Sequence, residues 1–238
     1  MADQFSSNPR FVWEGPEFKE PVELVAFVVG KDGVEETIPV HKEHACYYSP
    51  VLKAAFTSSF VEGQTQTYRV EDTDPDIFRL LIQWFYKQTF KHSTANSAES
   101  IIEEQSIVEV SEAEFPSAEI DSMYLNMVKL WILAERLIIP RLQNFIMDSL
   151  VEMSEESWST LWMATAYEST SSDSPLRRFA VDVLLYQVPA YGKKQCQNHF
   201  PRELLVDLAC GATLSSKSGS RYVHTRLTRD YMVPEGSS

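Results

Sequence analysis

Val22-Glu23-Leu24-Val25-Ala26-Phe27-Val28-Val29, then Gly30-Lys31-Asp32-Gly33 and Glu36-Thr37-Ile38-Pro39-Val40, decide how the rest of the chain is read. The first run is β-branched and apolar enough for a strand largely buried on both faces. The Gly-Lys-Asp-Gly turn tolerates positive φ, so the second run returns as a hairpin partner. Pro39 has no N–H to give a ladder, which places the second strand at a sheet edge there.

Outward from the hairpin, Ser49 followed by Pro50 combines a good N-cap with a good first helical residue, and a helix is expected to start there. Thr65 to Val70 alternates polar and apolar residues as a third strand does. Asp74-Pro75 repeats the cap-plus-proline signal. In the helix it opens, Ile77, Leu81, Trp84 and Phe85 recur at helical spacing, with Phe85 turned inward alongside Leu81 and Ile77.

The order of these pieces resembles a BTB/POZ domain of the kind found in stand-alone POZ proteins of filamentous fungi. The resemblance rests on the hairpin, His41-Lys42, Ser49, Phe56 and Phe60-x-Glu62-Gly63, then Thr67-x-x-Val70-x-Asp72, Asp74-Pro75, Phe78 and Leu81-Ile82-Gln83-Trp84-Phe85-Tyr86. Val51 and Leu52 stand where the family customarily carries an aromatic pair. The helix-and-strand extension that many dimeric POZ domains carry before their first strand is not evident. The resemblance implies an α+β BTB/POZ fold, a small mixed sheet flanked by a helical bundle. Here an additional C-terminal helical region follows it.

The expected organisation is an N-terminal arm over 1–21, the POZ domain over 22–152, a helical region over 153–212 and a frayed tail over 213–238. Pro9, Pro16 and Pro21 interrupt the arm. Within the domain, 91–120 reads as an acidic, mobile insertion, since no basic residue occurs between Lys91 and Lys129. Beyond it Asp121 or Ser122 is the expected cap of a helix from Met123 to Arg136, and Leu137-Ile138-Ile139-Pro140 breaks and restarts the chain. Leu133 to Asn144 resembles the closing helices of the same POZ proteins. Further on, Pro175 opens an amphipathic helix and Pro201 a last short one through Leu208.

A net charge of -13 repels phosphate backbones, so nucleic acid is not an expected partner. The longest clean apolar run, Leu24 to Val29, is far short of the ~20 residues a membrane span needs, and no signal-peptide pattern opens the chain. Cys46, Cys196 and Cys210 form no CxxC pair, which fits an intracellular protein, cytoplasmic or nuclear. His41-x-x-His44 lacks a third and fourth ligand at suitable spacing, so neither metal nor other cofactor is expected. In the resemblance, His41 falls where POZ domains carry a structural His at a strand-to-helix junction. No nucleophile elbow, Walker loop or dinucleotide fingerprint occurs, and no catalytic residue is assigned.

What remains is a non-enzymatic protein–protein interaction module. Trp84, Tyr86 and Phe90 are the partner-binding candidates of the aromatic helix, with core packing an equal reading of that set. The resemblance implies self-association as a homodimer. Its alternative is a substrate adaptor for a cullin-type ubiquitin ligase. In ligase-linked POZ families a φ-x-Glu motif after this helix contributes to the cullin contact. Ile101-Ile102-Glu103 and Ile107-Val108-Glu109 both fit that pattern, so Ile101, Glu103, Ile107 and Glu109 complete the candidate set.

Overall fold

A computed structural model describes residues 15–16, 22–31, 33–89, 116–217 and 228–235. The hairpin forms as expected. β1 (Leu24–Lys31) pairs antiparallel with β2 (Val34–His41), from Leu24 opposite His41 to Lys31 opposite Val34. Gly33 takes φ +83° where the chain reverses, a conformation glycine adopts without steric cost. β3 (Thr67–Glu71) runs parallel to β1, and the three-stranded order is β2-β1-β3. Pro39 sits opposite Ala26 on the edge strand, where its missing N–H leaves no ladder bond unmade.

Between β2 and β3 lie α1 (Lys42–Tyr48), α2 (Pro50–Thr57) and α3 (Val61–Thr65). Ser49 caps α2 by accepting the Leu52 N–H at 3.1 Å, and its own hydroxyl donates to the Leu137 carbonyl at 2.7 Å. Asp74 caps α4 (Pro75–Lys87) through the Asp76 N–H. Both cap-plus-proline signals therefore mark true helix starts. Ile77, Leu81 and Phe85 face the core, as their spacing predicts.

β1 corrects one expectation. Val25, Phe27 and Val29 are buried, but Leu24 is 56% exposed and Ala26 and Val28 are only half-covered. The strand is buried on one face, not both. A continuous apolar run reports hydrophobicity on both sides of a strand, whereas cover needs a second layer. In the described residues, helices pack only on the side of Val25, Phe27 and Val29. On that inner face the Phe27 ring meets Phe78 at 4.9 Å and Phe56 at 5.7 Å, edge-on to the latter.

α5 (Ala118–Arg136) starts earlier than expected, capped by Ser117 through the Ile120 N–H. Residues 118–120, assigned to the insertion from sequence, are its first turn. The real cap, Ser117, stands about one turn before the Asp121 expected from sequence. Residues 91–115 of the expected insertion lie outside the described residues, as does the N-terminal arm except Gly15 and a buried Pro16.

α5 ends in a left-handed cap. Ile138 takes φ +52°, its N–H reaches the Glu135 carbonyl at 3.1 Å and the Ile139 N–H reaches Ala134 at 2.9 Å. This is a Schellman closure with a β-branched residue where glycine is usual. α6 (Pro140–Glu156) then packs back along α5. α7 (Met163–Ser169) and α8 (Pro175–Asp182) follow, the latter running on into a π-helical turn, Val183–Gln187. α9 (Ala190–Gln195) is short, while α10 (Arg202–Lys217) extends well past the Leu208 expected from sequence.

One hydrophobic core runs through the sheet and most of the helices, from Val25 and Phe27 through Trp84, Trp131 and Trp162 to Leu204 and Tyr231. The last of these corrects the expected frayed tail. Residues 228–235 return to the body, where Tyr231 is 5% exposed with its ring edge-on to Phe179 at 5.5 Å. A burial this deep outweighs the fraying that a Ser-, Gly- and Arg-rich composition suggests.

Candidate functional site

The aromatic helix α4 divides its candidates. Trp84 is 1% exposed, lying edge-on to Tyr48 at 5.0 Å, while Phe85 stacks on the same tyrosine at 5.6 Å. Buried to this degree, the indole packs the core and has almost no surface to offer a partner. Tyr86 is half-buried and belongs to a polar cluster at the strand-to-helix junction. Its hydroxyl accepts the His41 backbone N–H at 3.1 Å and lies 2.6 Å from His41 Nδ1. In a neutral ring protonated on Nε2, Nδ1 accepts a hydrogen bond from the phenolic O–H. The His44 ring sits 4.4 Å from Tyr86. Burial, with the neighbouring His41 ring second, pushes the His44 pKa below the usual histidine value against the pull of Glu43.

His41 thus joins the end of β2 to the end of α4, a structural task at the position where sequence placed a structural histidine. Among the described residues no group of three or more His, Cys, Asp and Glu is placed to hold a metal ion. No helix among them is long and apolar enough to cross a membrane. Phe90, Ile101, Glu103, Ile107 and Glu109 lie outside the described residues.

Sequence reasoning missed the surfaces that the fold leaves open. The first is the outer face of the sheet. Leu24, Ala26 and Val28 of β1 line up there with Pro39 and Thr37 of β2 and Thr67 and Arg69 of β3. Charged groups flank this apolar strip, since Arg69 pairs with Glu35 on the same face and Lys42 with Glu23 at 2.8 Å near its base. The Arg69–Glu35 pair is largely solvated and holds the fold little. An apolar centre within a charged margin is the usual make-up of a protein contact.

The second open surface is α3, where Phe60 and Val61 are 73% and 69% exposed. Gly63 holds this turn close to the end of α2. A Cβ there would stand 1.9 Å from the Ser58 carbonyl oxygen. The Phe60-x-Glu62-Gly63 motif was legible as a motif, but its spacing did not say that the aromatic faces solvent.

A comparison with curated proteins found no match. A comparison with family models matched the BTB/POZ domain over residues 24–113. That span opens on β1 and contains the whole sheet and α1 to α4, the elements on which both open surfaces stand. It closes before α5, so the helices from α5 onward add to the matched unit and share its core. With the three-stranded mixed sheet, the capped helices and the matched span in agreement, the chain carries a BTB/POZ domain, a protein–protein interaction module, followed by a helical C-terminal region.

Proposed function

We propose that this chain is a non-enzymatic interaction protein of the stand-alone POZ type seen in filamentous fungi, and that it self-associates through its BTB/POZ domain. The observation that carries the reading is the outer sheet face, which no described element covers, with Leu24, Ala26, Val28 and Pro39 at its centre. Leaving such a strip in water forgoes roughly 25 cal/mol for each Å² that a partner would cover. A second copy is the occupant favoured here, since a face with both apolar and paired charged positions can be complementary to itself across a two-fold axis. The three free cysteines, Cys46, Cys196 and Cys210, support an intracellular setting, cytoplasmic or nuclear.

A net charge of -13 on each copy opposes association at low ionic strength. Salt screens that repulsion beyond ~8 Å at physiological strength, so the dimer is expected to tighten as salt rises. Light scattering coupled to size exclusion at micromolar concentration, in low and physiological salt, reads this directly. Leu24→Glu, at an exposed position, is expected to leave the fold intact and return a monomer mass. A monomer for the unaltered chain at both salt levels rejects self-assembly. A pull-down with the intact chain then identifies the hetero-partner, and retention of a cullin would select the ubiquitin-ligase adaptor.

A further inference from the structure

Residues 228–235 pack on the body in a way unlike the other described elements. They form one 3-10 turn, Thr228–Tyr231, and then run on without secondary structure. Backbone groups in such a segment need partners from elsewhere. Side chains of α6 and α8 supply them. The Asn144 carboxamide accepts the Val233 N–H at 2.8 Å and donates to the Val233 carbonyl at 3.1 Å. The same amide donates to Glu235 Oε1 at 2.8 Å, and Arg178 donates to the Asp230 carbonyl at 3.3 Å. Tyr231 enters between these contacts, its ring against Phe179 and its hydroxyl donating to Asp182 Oδ2 at 2.6 Å. Asp182 is the last residue of α8, where the helix passes into its π-helical turn.

A main-chain clamp at one residue and a deep aromatic pocket two residues before it are the elements of peptide recognition. The clamp reads backbone, and the pocket reads a ring with a hydroxyl at its far end. Apart from the Asn144 bond to Glu235, neither reads anything peculiar to this tail. Of residues 229–235 only Tyr231 is buried, and Met232 is half-covered against the core. A ligand held by one anchor and a few hydrogen bonds is weak when free, and its tether supplies a high effective concentration.

We infer that the groove formed by Asn144, Arg178, Phe179 and Asp182 is a peptide-binding site for a partner. Its ligand is an extended segment with tyrosine two residues ahead of the clamped one, and the chain's own residues 228–235 occupy the site as a tethered competitor. Binding by a partner then requires release of the tail, so the site is closed at rest and opens to a segment presented at high local concentration.

The test uses the full chain and a fluorescein-labelled peptide copying Thr228 to Glu235, followed by fluorescence anisotropy. Tyr231→Ala removes the anchor of the tethered tail while leaving every groove residue in place. It is expected to bind the peptide at least about tenfold more tightly than the unaltered chain, because the intramolecular competitor is gone. Adding Asn144→Ala, or replacing the tyrosine of the peptide by alanine, is expected to abolish that binding. Val233→Pro gives a second route to the same state, since it deletes the clamped N–H on a residue whose side chain is not buried. Equal affinity for unaltered and tail-weakened chains overturns the proposal, as does no binding by a variant that circular dichroism shows folded. A concentration-dependent dimer that Tyr231→Ala dissolves also overturns it, making the tail of a second copy the occupant.

Discussion

Replacing Gly63 by alanine tests the fold and the exposed turn together, because two physical effects oppose each other there. Gly63 lies within α3, and alanine in a helix is favoured over glycine by about 1 kcal/mol. Space points the other way. The added Cβ would meet the Ser58 carbonyl oxygen at 1.9 Å, its carbon at 2.9 Å and the Ala55 carbonyl oxygen at 3.2 Å. All three are backbone atoms, so no rotamer change relieves the clash. The turn would have to open by about 1.5 Å to reach ordinary contact distance. That movement strains the bonds that fold the turn. Ser58 Oγ donates to Ala55 at 2.9 Å, and the Gln64 amide reaches Ser59 at 2.8 Å. The Gln66 amide donates to both Gly63 and Phe56. Overpacking costs about 1–3 kcal/mol, and a clash with backbone this close belongs to the upper part of that range, about 2–3 kcal/mol, so the net loss should be about 1–2 kcal/mol once helix propensity is set against it. For a chain of this size that lowers the melting midpoint by about 2–8 °C. Gly33→Ala is the contrast, since nothing lies within 4 Å of its Cβ and only its φ of +83° resists substitution. Thermal melts followed by tryptophan fluorescence settle the question. A Gly63→Ala chain as stable as the original, or more so, would refute the close approach of α3 to the end of α2.

Ser49→Ala removes an N-cap and the hydroxyl that the Leu137 carbonyl accepts from, both inside the core; a loss of about 2–4 kcal/mol in urea unfolding is expected, and less than 1 would show the two bonds to be dispensable. Ile138→Asn should stabilise the chain by about 0.5–1 kcal/mol, because Ile138 is exposed and its β-branched side chain is strained at φ +52°; a lower urea midpoint would contradict that. His44 is held with a lowered proton affinity, so the unfolded chain takes up its proton first as pH falls. The stability supplied by neutral His44 is present above about pH 6.5 and is lost below it. His44→Gln should therefore show a smaller drop in urea midpoint between about pH 7.5 and pH 5.5 than the unaltered chain, and equal drops would assign the acid sensitivity to other groups.

The features legible in the sequence are those decided by one or two neighbouring residues. Ser49-Pro50 and Asp74-Pro75 mark helix starts because cap and proline act on the same local backbone. Pro39 marks an edge because the lost N–H belongs to one residue. Ile77, Leu81 and Phe85 point inward because a single helix carries its own period. Where the outcome depends on what lies opposite, the sequence is silent. Leu24, Ala26 and Val28 are as apolar as their buried neighbours, and only the absence of a second layer among the described elements leaves them open. Trp84 was equally suited to core or contact, and the approach of Tyr48 from α1 decides for the core.

The docked tail is the extreme case of that dependence. Tyr231, Met232 and Val233 sit in a stretch too short and too mixed to carry any period. Their partners, Asn144 and Asp182, are 89 and 49 residues away along the chain. Nothing local distinguishes Tyr231 from the other tyrosines; what buries it is the face of Phe179. That phenylalanine stacks on Trp162 at 5.7 Å, and Trp162 in turn on Tyr124 of α5 at 6.3 Å. The column of rings ties the segment 228–235 to the helix that packs against α4 of the BTB/POZ domain. An occupant of the tail groove therefore presses on the same continuous core that supports the sheet. Release of Tyr231 would uncover the end of that column, so the groove and the domain are mechanically joined even though the family match stops at residue 113.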